Sequence, residues 1–309
     1  MPEIRIRPSA GPTRSRGEPR VRPPAVAGAF YPADEATLRA QVAELLAAGA
    51  AAAEAGAAAP KALIAPHAGY VYSGPVAGSA YARVAPWAGR IRRVVLLGPS
   101  HRVPLPGLAL PESELFLTPL GAVPVDAEGA ALAARLPQVR RLEQAHAFEH
   151  SLEVHLPFLQ ELLGPFALVP LVVGDAEPEA VAEVLEALWG GEETLIVVSS
   201  DLSHYLDYES ARRLDALTAR AIQELRPEAV GPHQACGRHP INGLLVAARR
   251  RGLVPELLDL RSSGDTAGPR DQVVGYGAWA FVPRGEGPEG RGEGPGEGHG
   301  GNDAGRRPS

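Results

Sequence analysis

The chain has 309 residues, 36 acidic and 30 basic, with nine His and a formal charge of −6. At 45% hydrophobic it can bury a sizeable core, which excludes a disordered or fibrous protein, and its acidic balance excludes general nucleic-acid binding. The one Cys excludes a disulfide framework or a Cys-only zinc cluster within the chain.

Residues 1–22 are rich in Arg and Pro and are predicted to form a disordered arm. They lack the apolar stretch of a secretory leader, so a cytoplasmic location is expected. Residues 35–58 have helical spacing at Leu38, Val42, Leu45 and Leu46, with Asp34 as a candidate N-cap. The most apolar region, 45–66, is interrupted by Glu54 and Lys61 and cannot span a membrane. ALIAPHAG (62–69) follows as a strand and turn, then a helical stretch over 76–84. RRVVLLGPSH (92–101) is the next strand, 151–163 a helix, ALVPLVVGD (167–175) a strand and 178–189 a helix. TLIVVSSDLSH (194–204) is another strand, followed by helices over 208–225 and 241–252. LVPELLDLRSS (253–263) and VVGYGAWAFVP (273–283) are the last strands. The Gly-rich segment 284–309 cannot offset its ordering entropy and is predicted to be a disordered tail.

VVLL, LVPLVV and LIVV are continuous apolar runs rather than alternating ones, the pattern of strands covered on both faces. Strand–helix alternation then predicts an α/β three-layer sandwich with a mixed, largely parallel central sheet. No stretch between 24 and 283 has linker composition, so 23–283 is read as a single domain.

Three apolar strands end in turns that carry His: ALIAP leads to His67, VVLLGPS to His101, and LIVVSS to Asp201 and His204. Ligands of open α/β sheets bind beyond the carboxyl ends of the strands, so these groups can converge on one point. A lone turn His is more often a cap, but three with the same placement favour a site. Cys236, in the Gly/Pro/His loop GPHQACGRHPING before a helix, is either a small buried hydrophobe or a third donor. Two imidazoles and a thiolate leave positions open for water or substrate and suit zinc, copper or iron.

A rival motif is His146-Ala-Phe-Glu149-His150, which matches H-x-x-E-H of the inverzincin peptidases. A five-residue match in a His-rich segment arises easily by chance. His155 is expected to be structural. Tyr70 and Tyr72 are candidates for a pocket wall or for packing. The chain has no G-x-G-x-x-G, no Walker loop and no G-x-S-x-G elbow, so dinucleotide binding and serine hydrolysis are not expected.

The motifs AVAGAFYP, APHAGYVYSG, LLGPSH, EHSLEVHLPFL, VSSDLSHY, CGRHPI and VVGYGAWAF, in this order over about 23–282, resemble the Memo family, the B component of the AmmeMemoRadiSam set. That family is similar in fold to the LigB-type class III extradiol dioxygenases, α/β proteins with a non-haem iron(II) site. The resemblance implies His67 and His101 as metal ligands and Cys236 at the third place, where dioxygenases use a carboxylate. It also implies His204, held by Asp201, as acid/base, and His150 as a substrate contact; Tyr70, from its pocket-wall placement in HAGYVYSG, is the other expected substrate contact. Iron(II) is the implied metal, with copper or zinc as alternatives. The implied partners are a small molecule or peptide and a radical-SAM protein of the same set. The alternative is a non-catalytic, peptide-binding protein that reuses the cleft.

Overall fold

The structure, a computed structural model, describes residues 17–51 and 58–284. Most of the expected N-terminal arm and all but Arg284 of the expected tail lie outside the described residues, as does the end of the first expected helix. In chain order the strands are β1 (Val21–Arg22), β2 (Ala62–Ala65), β3 (Arg93–Pro99), β4 (Leu108–Leu110), β5 (Leu115–Thr118), β6 (Gly121–Pro124), β7 (Val139–Arg141), β8 (Ala167–Val173), β9 (Thr194–Ser199), β10 (His204–Leu206), β11 (Leu253–Ser262) and β12 (Val273–Pro283). The helices are α1 (Glu35–Ala51), α2 (Tyr70–Ala82), α3 (Ala127–Ala133), α4 (Glu143–Ala147), α5 (Leu156–Leu163), α6 (Pro178–Ala187), α7 (Tyr208–Gln223), α8 (Arg238–Arg251) and α9 (Ser263–Thr266).

The main sheet runs β10-β12-β2-β9-β3-β8-β4-β7, with β11 also paired to β12. Its centre, β2-β9-β3-β8, is parallel, and antiparallel pairings begin at β12 on one side and β4 on the other. Side-chain alternation divides the core into two layers. Val95, Leu97, Ile196 and Val198 face α6 and α8, whereas Val94, Leu96, Leu195 and Val197 face α1, α2 and α5. Both faces are buried, which is why these strands are apolar throughout. The three-layer α/β sandwich expected from the sequence is what the chain forms.

The fold starts earlier than the arm prediction placed it. Val21–Arg22 pairs in parallel with Leu115–Phe116 in a small sheet, β1-β5-β6. Arg22 is fully buried and donates to Glu153 Oε2 at 2.7 Å, His146 O at 2.7 Å and Glu149 O at 2.5 Å. Glu153 accepts in turn from the amides of Ala25 and Val26 and from the Tyr31 hydroxyl. A buried ion pair survives only with its remaining hydrogen bonds satisfied, and this one is. The Arg/Pro-rich composition of the first residues hid an anchor that pins the 146–153 segment to the sheet.

Candidate metal centre

The centre lies beyond the carboxyl ends of β2, β9 and β3. Ala65 of β2 is in register with Ser199 of β9, so His67 projects just past the sheet rim, and Leu97 of β3 pairs with Val198, which brings His101 to the same rim. Cys236 arrives from the loop before α8. Its neighbour Gly237 makes this approach possible, because a Cβ there would lie 2.6 Å from Ser199 O.

Hydrogen bonds fix the orientation of both imidazoles. His67 Nδ1 lies 2.6 Å from Ser199 Oγ, whose own proton goes to Ser151 O at 2.6 Å. The hydroxyl therefore accepts from Nδ1–H, and the His67 lone pair is on Nε2. His101 Nδ1 lies 2.9 Å from Glu149 Oε1, while the other carboxylate oxygen accepts the His101 backbone amide at 2.6 Å. The carboxylate cannot donate when ionised, so His101 also presents Nε2. Carboxylate or hydroxyl partners on the remote nitrogen are the usual outer support of metal-bound imidazoles. Donor atoms of His67, His101 and Cys236 all lie within 4.8 Å of one another. Cys236 Sγ is 3.4 Å from His67 Nε2, positioned to donate its proton to that lone pair.

Electrostatics favour a cation at this point. Burial, reinforced by the adjacent imidazoles, holds His67 well below its ordinary pKa and therefore neutral. Burial and the Asp201 carboxylate push the Cys236 thiol up to about 12, so a cation is required to make it a thiolate. Burial raises Glu149, but the His101 contacts and the Ser151 amide outweigh it and hold the carboxyl at about 2. Two imidazoles with Nδ1 engaged and Nε2 free, an ionised outer carboxylate and a thiol fit a soft or borderline divalent metal. Glu149 and His150 form a second cluster with His101, but there His101 Nδ1 already engages the carboxylate.

His67 and His101 border a cavity of about 580 Å³ that His150, Asp201 and His204 also line, whereas Cys236 is not part of its wall. His150 stacks on His101 with ring centroids 4.7 Å apart, and burial lowers its pKa to about 4. His204 gives Nδ1 to Leu202 O at 2.8 Å. The expected Asp201–His204 hydrogen bond is not formed. Asp201 Oδ1 instead accepts the His67 backbone amide at 2.7 Å, and the Asp201 amide donates to Cys236 Sγ at 3.3 Å, so Asp201 braces two ligands rather than the acid/base His. Tyr70 is likewise corrected. It is the first residue of α2, buried against Tyr31 and Phe158 with its hydroxyl on Val154 O, and Tyr72 lines the cavity in its place.

The H-x-x-E-H reading fails on geometry. α4 ends at Ala147, so His146 and His150 do not share a helical face, and buried His146 bonds Ala109 O through Nε2. His155 is structural as expected, bonded to Tyr81. Residue-by-residue reading missed Ser199 and Glu149 as supports of the ligands. Glu149 stands in that same motif, and its carboxylate bonds His101.

The family described as Memo-like protein matches residues 22–280 of this chain. Proteins described as MEMO1 family proteins are similar over nearly their whole length. That of Aeropyrum pernix is 38% identical over 279 residues, covering 84% of this chain and 99% of the relative. That of Aquifex aeolicus is 37% identical over 281 residues, covering 85% and 100%. That of Sulfolobus acidocaldarius is 34% identical over 287 residues, covering 83% and 97%. Among the described residues, no helix is long and apolar enough to cross a membrane.

Proposed function

The chain belongs to the Memo-like family, and on that footing we propose that it is a mononuclear metal-dependent oxidoreductase whose His67, His101 and Cys236 hold iron(II). The observation that supports this reading best is the shared aim of the two imidazoles. Separate hydrogen bonds, to Ser199 and to Glu149, occupy Nδ1 of each and leave Nε2 free, and donor atoms of both histidines and of Cys236 lie within 4.8 Å of one another. Copper or zinc would suit the same donors.

Bound there, iron(II) would supply one-electron, dioxygenase-like chemistry, its reactivity altered by a thiolate where related sites carry a carboxylate. The chain's own groups do the rest. Ser199 and Glu149 hold the two imidazoles in orientation through their Nδ1 atoms. Asp201 holds the His67 backbone and the Cys236 sulfur in register. His204, with Nδ1–H tied to Leu202 O, presents Nε2 to the cavity as the group that takes or gives a proton. Neutral His150 lies against His101 at the same cavity and contacts substrate. The proposal extends to a cytoplasmic protein acting on a small molecule, in cooperation with a radical-SAM protein of the same set.

Exposed Val71, Tyr72 and Phe148 beside the site segments favour a second reading, a cleft that binds a peptide without turnover. The test is elemental analysis of protein purified without chelator, followed by oxygen uptake over a catechol and aminophenol panel. One iron per chain, lost in His67→Ala and Cys236→Ala, supports the enzyme. Metal-free protein that cannot be loaded contradicts it.

A further inference from the structure

Two non-glycine residues among those described have positive φ, Leu225 at 53° and Tyr205 at 58°. For bulky side chains this region is an outlier and costs energy. Leu225 recovers that cost: it ends the α7 turn, its amide bonds Ile222 O, and its side chain packs on the core. Tyr205 recovers little. It is 71% exposed, and its one ring neighbour is His204, at 5.8 Å between centroids. The register of β10 against β12 shifts between His204 and Leu206, and this irregularity throws Tyr205 out at the cavity mouth.

The cavity has a consistent character. Phe30, Tyr72 and Tyr276 join Tyr205 in its wall, and Asp201 is its one carboxylate. No Lys or Arg lines it. Arg270, in the same loop as lining residues Pro269 and Gln272, stacks its guanidinium on Tyr208 at 4.2 Å and pairs with Asp265. Four imidazoles, His67, His101, His150 and His204, complete the lining, which suits a flat ring and holds no permanently charged side chain to pair with a phosphate or carboxylate.

We propose that Tyr205 is a specificity-determining residue, held in a strained backbone so that its ring stacks on an uncharged aromatic substrate in this cavity. The proposal deepens the reading of this cavity as the substrate site. Binding recovers, on the face of the ring, the contact that the free protein lacks.

The test measures fluorescence binding of 2-naphthol and of 2-naphthoate to the full chain, in chelator-treated and in iron-loaded protein, with melting temperatures for each variant. In metal-free wild type, 2-naphthol is expected to bind more tightly than 2-naphthoate. Tyr205→Phe should keep that affinity, whereas Tyr205→Gly should weaken it about three- to tenfold, the worth of one aromatic contact. Tyr205→Gly should also melt at the same temperature as wild type or higher, because glycine adopts positive φ without strain. A residue with a merely structural role would lower the melting temperature instead. Equal 2-naphthol binding by wild type and Tyr205→Gly, tighter 2-naphthoate binding in metal-free protein, or no 2-naphthol binding at all overturns the proposal. Because the decisive arm is metal-free, a protein that takes up no iron yet shows this Tyr205 dependence refutes the metal centre and leaves the proposal standing. The converse result refutes the proposal alone.

Discussion

Replacing Ser199 with Ala removes one oxygen that serves two buried partners. Its hydroxyl accepts His67 Nδ1–H at 2.6 Å and donates to Ser151 O at 2.6 Å. His67 is 1% exposed and Ser151 fully buried, so neither group can turn to solvent. A single hydroxyl also leaves too little room for a water to take its place. Each orphaned group costs about 1–3 kcal/mol, so the variant is expected to lose about 2–6 kcal/mol of stability. Freed of its acceptor, His67 also gains access to the other tautomer and other ring angles. Loss of such an outer partner typically weakens metal binding about 10- to 100-fold. Urea unfolding reads the first effect. Competition titration of iron(II) or zinc, well below the melting temperature, reads the second. A variant with wild-type metal affinity would refute the claim that Ser199 sets the His67 tautomer, whatever happened to stability.

Glu149→Gln should weaken metal binding by a similar factor, whereas His204→Gln should leave metal affinity unchanged and abolish turnover; equal metal loss in both, by the same titration, would contradict the assigned roles. Arg22→Met leaves the Glu153 carboxylate buried and unpaired and should cost about 3–5 kcal/mol by denaturant unfolding, with part regained in the double variant Arg22→Met/Glu153→Gln. Burial lowers His146 to about 4, against an ordinary value near 6.5, so the unfolded chain takes up this proton first as pH falls. Stability from His146 is therefore full above pH 6.5 and lost between 6.5 and 4, a drop of about 3 kcal/mol. His146→Gln keeps a donor for Ala109 O and should flatten that part of the pH–stability curve; an unchanged slope would show that His146 is not held neutral.

The central architecture was legible because physics writes it locally. Strands buried on both faces must be apolar throughout, and the His residues sit where those runs stop, so His67, His101 and the layer order could be read directly. Helix limits were less legible. α2 begins at Tyr70, six residues before the spacing signal at 76, and this shift buries Tyr70 and turns Tyr72 to the cavity. The short strands β4 to β7 and β1 have too few residues to show a period, and their pairing is set by tertiary contacts. The supports of the centre were hidden for a related reason. Ser199 and Glu149 act through hydrogen bonds to residues more than 40 positions away in sequence, and no spacing rule reports those contacts. Asp201 adjoins the His204 segment in sequence, yet its carboxylate bonds His67 across the β2–β9 rim.

X-ray absorption at the metal edge of iron-loaded protein addresses the three-donor centre most directly. The account expects one sulfur scatterer at about 2.3 Å and two imidazole nitrogens at about 2.0–2.2 Å, with the sulfur lost in Cys236→Ser and one imidazole lost in His101→Ala. A spectrum with no sulfur in the first shell, or one unchanged by both substitutions, would contradict it.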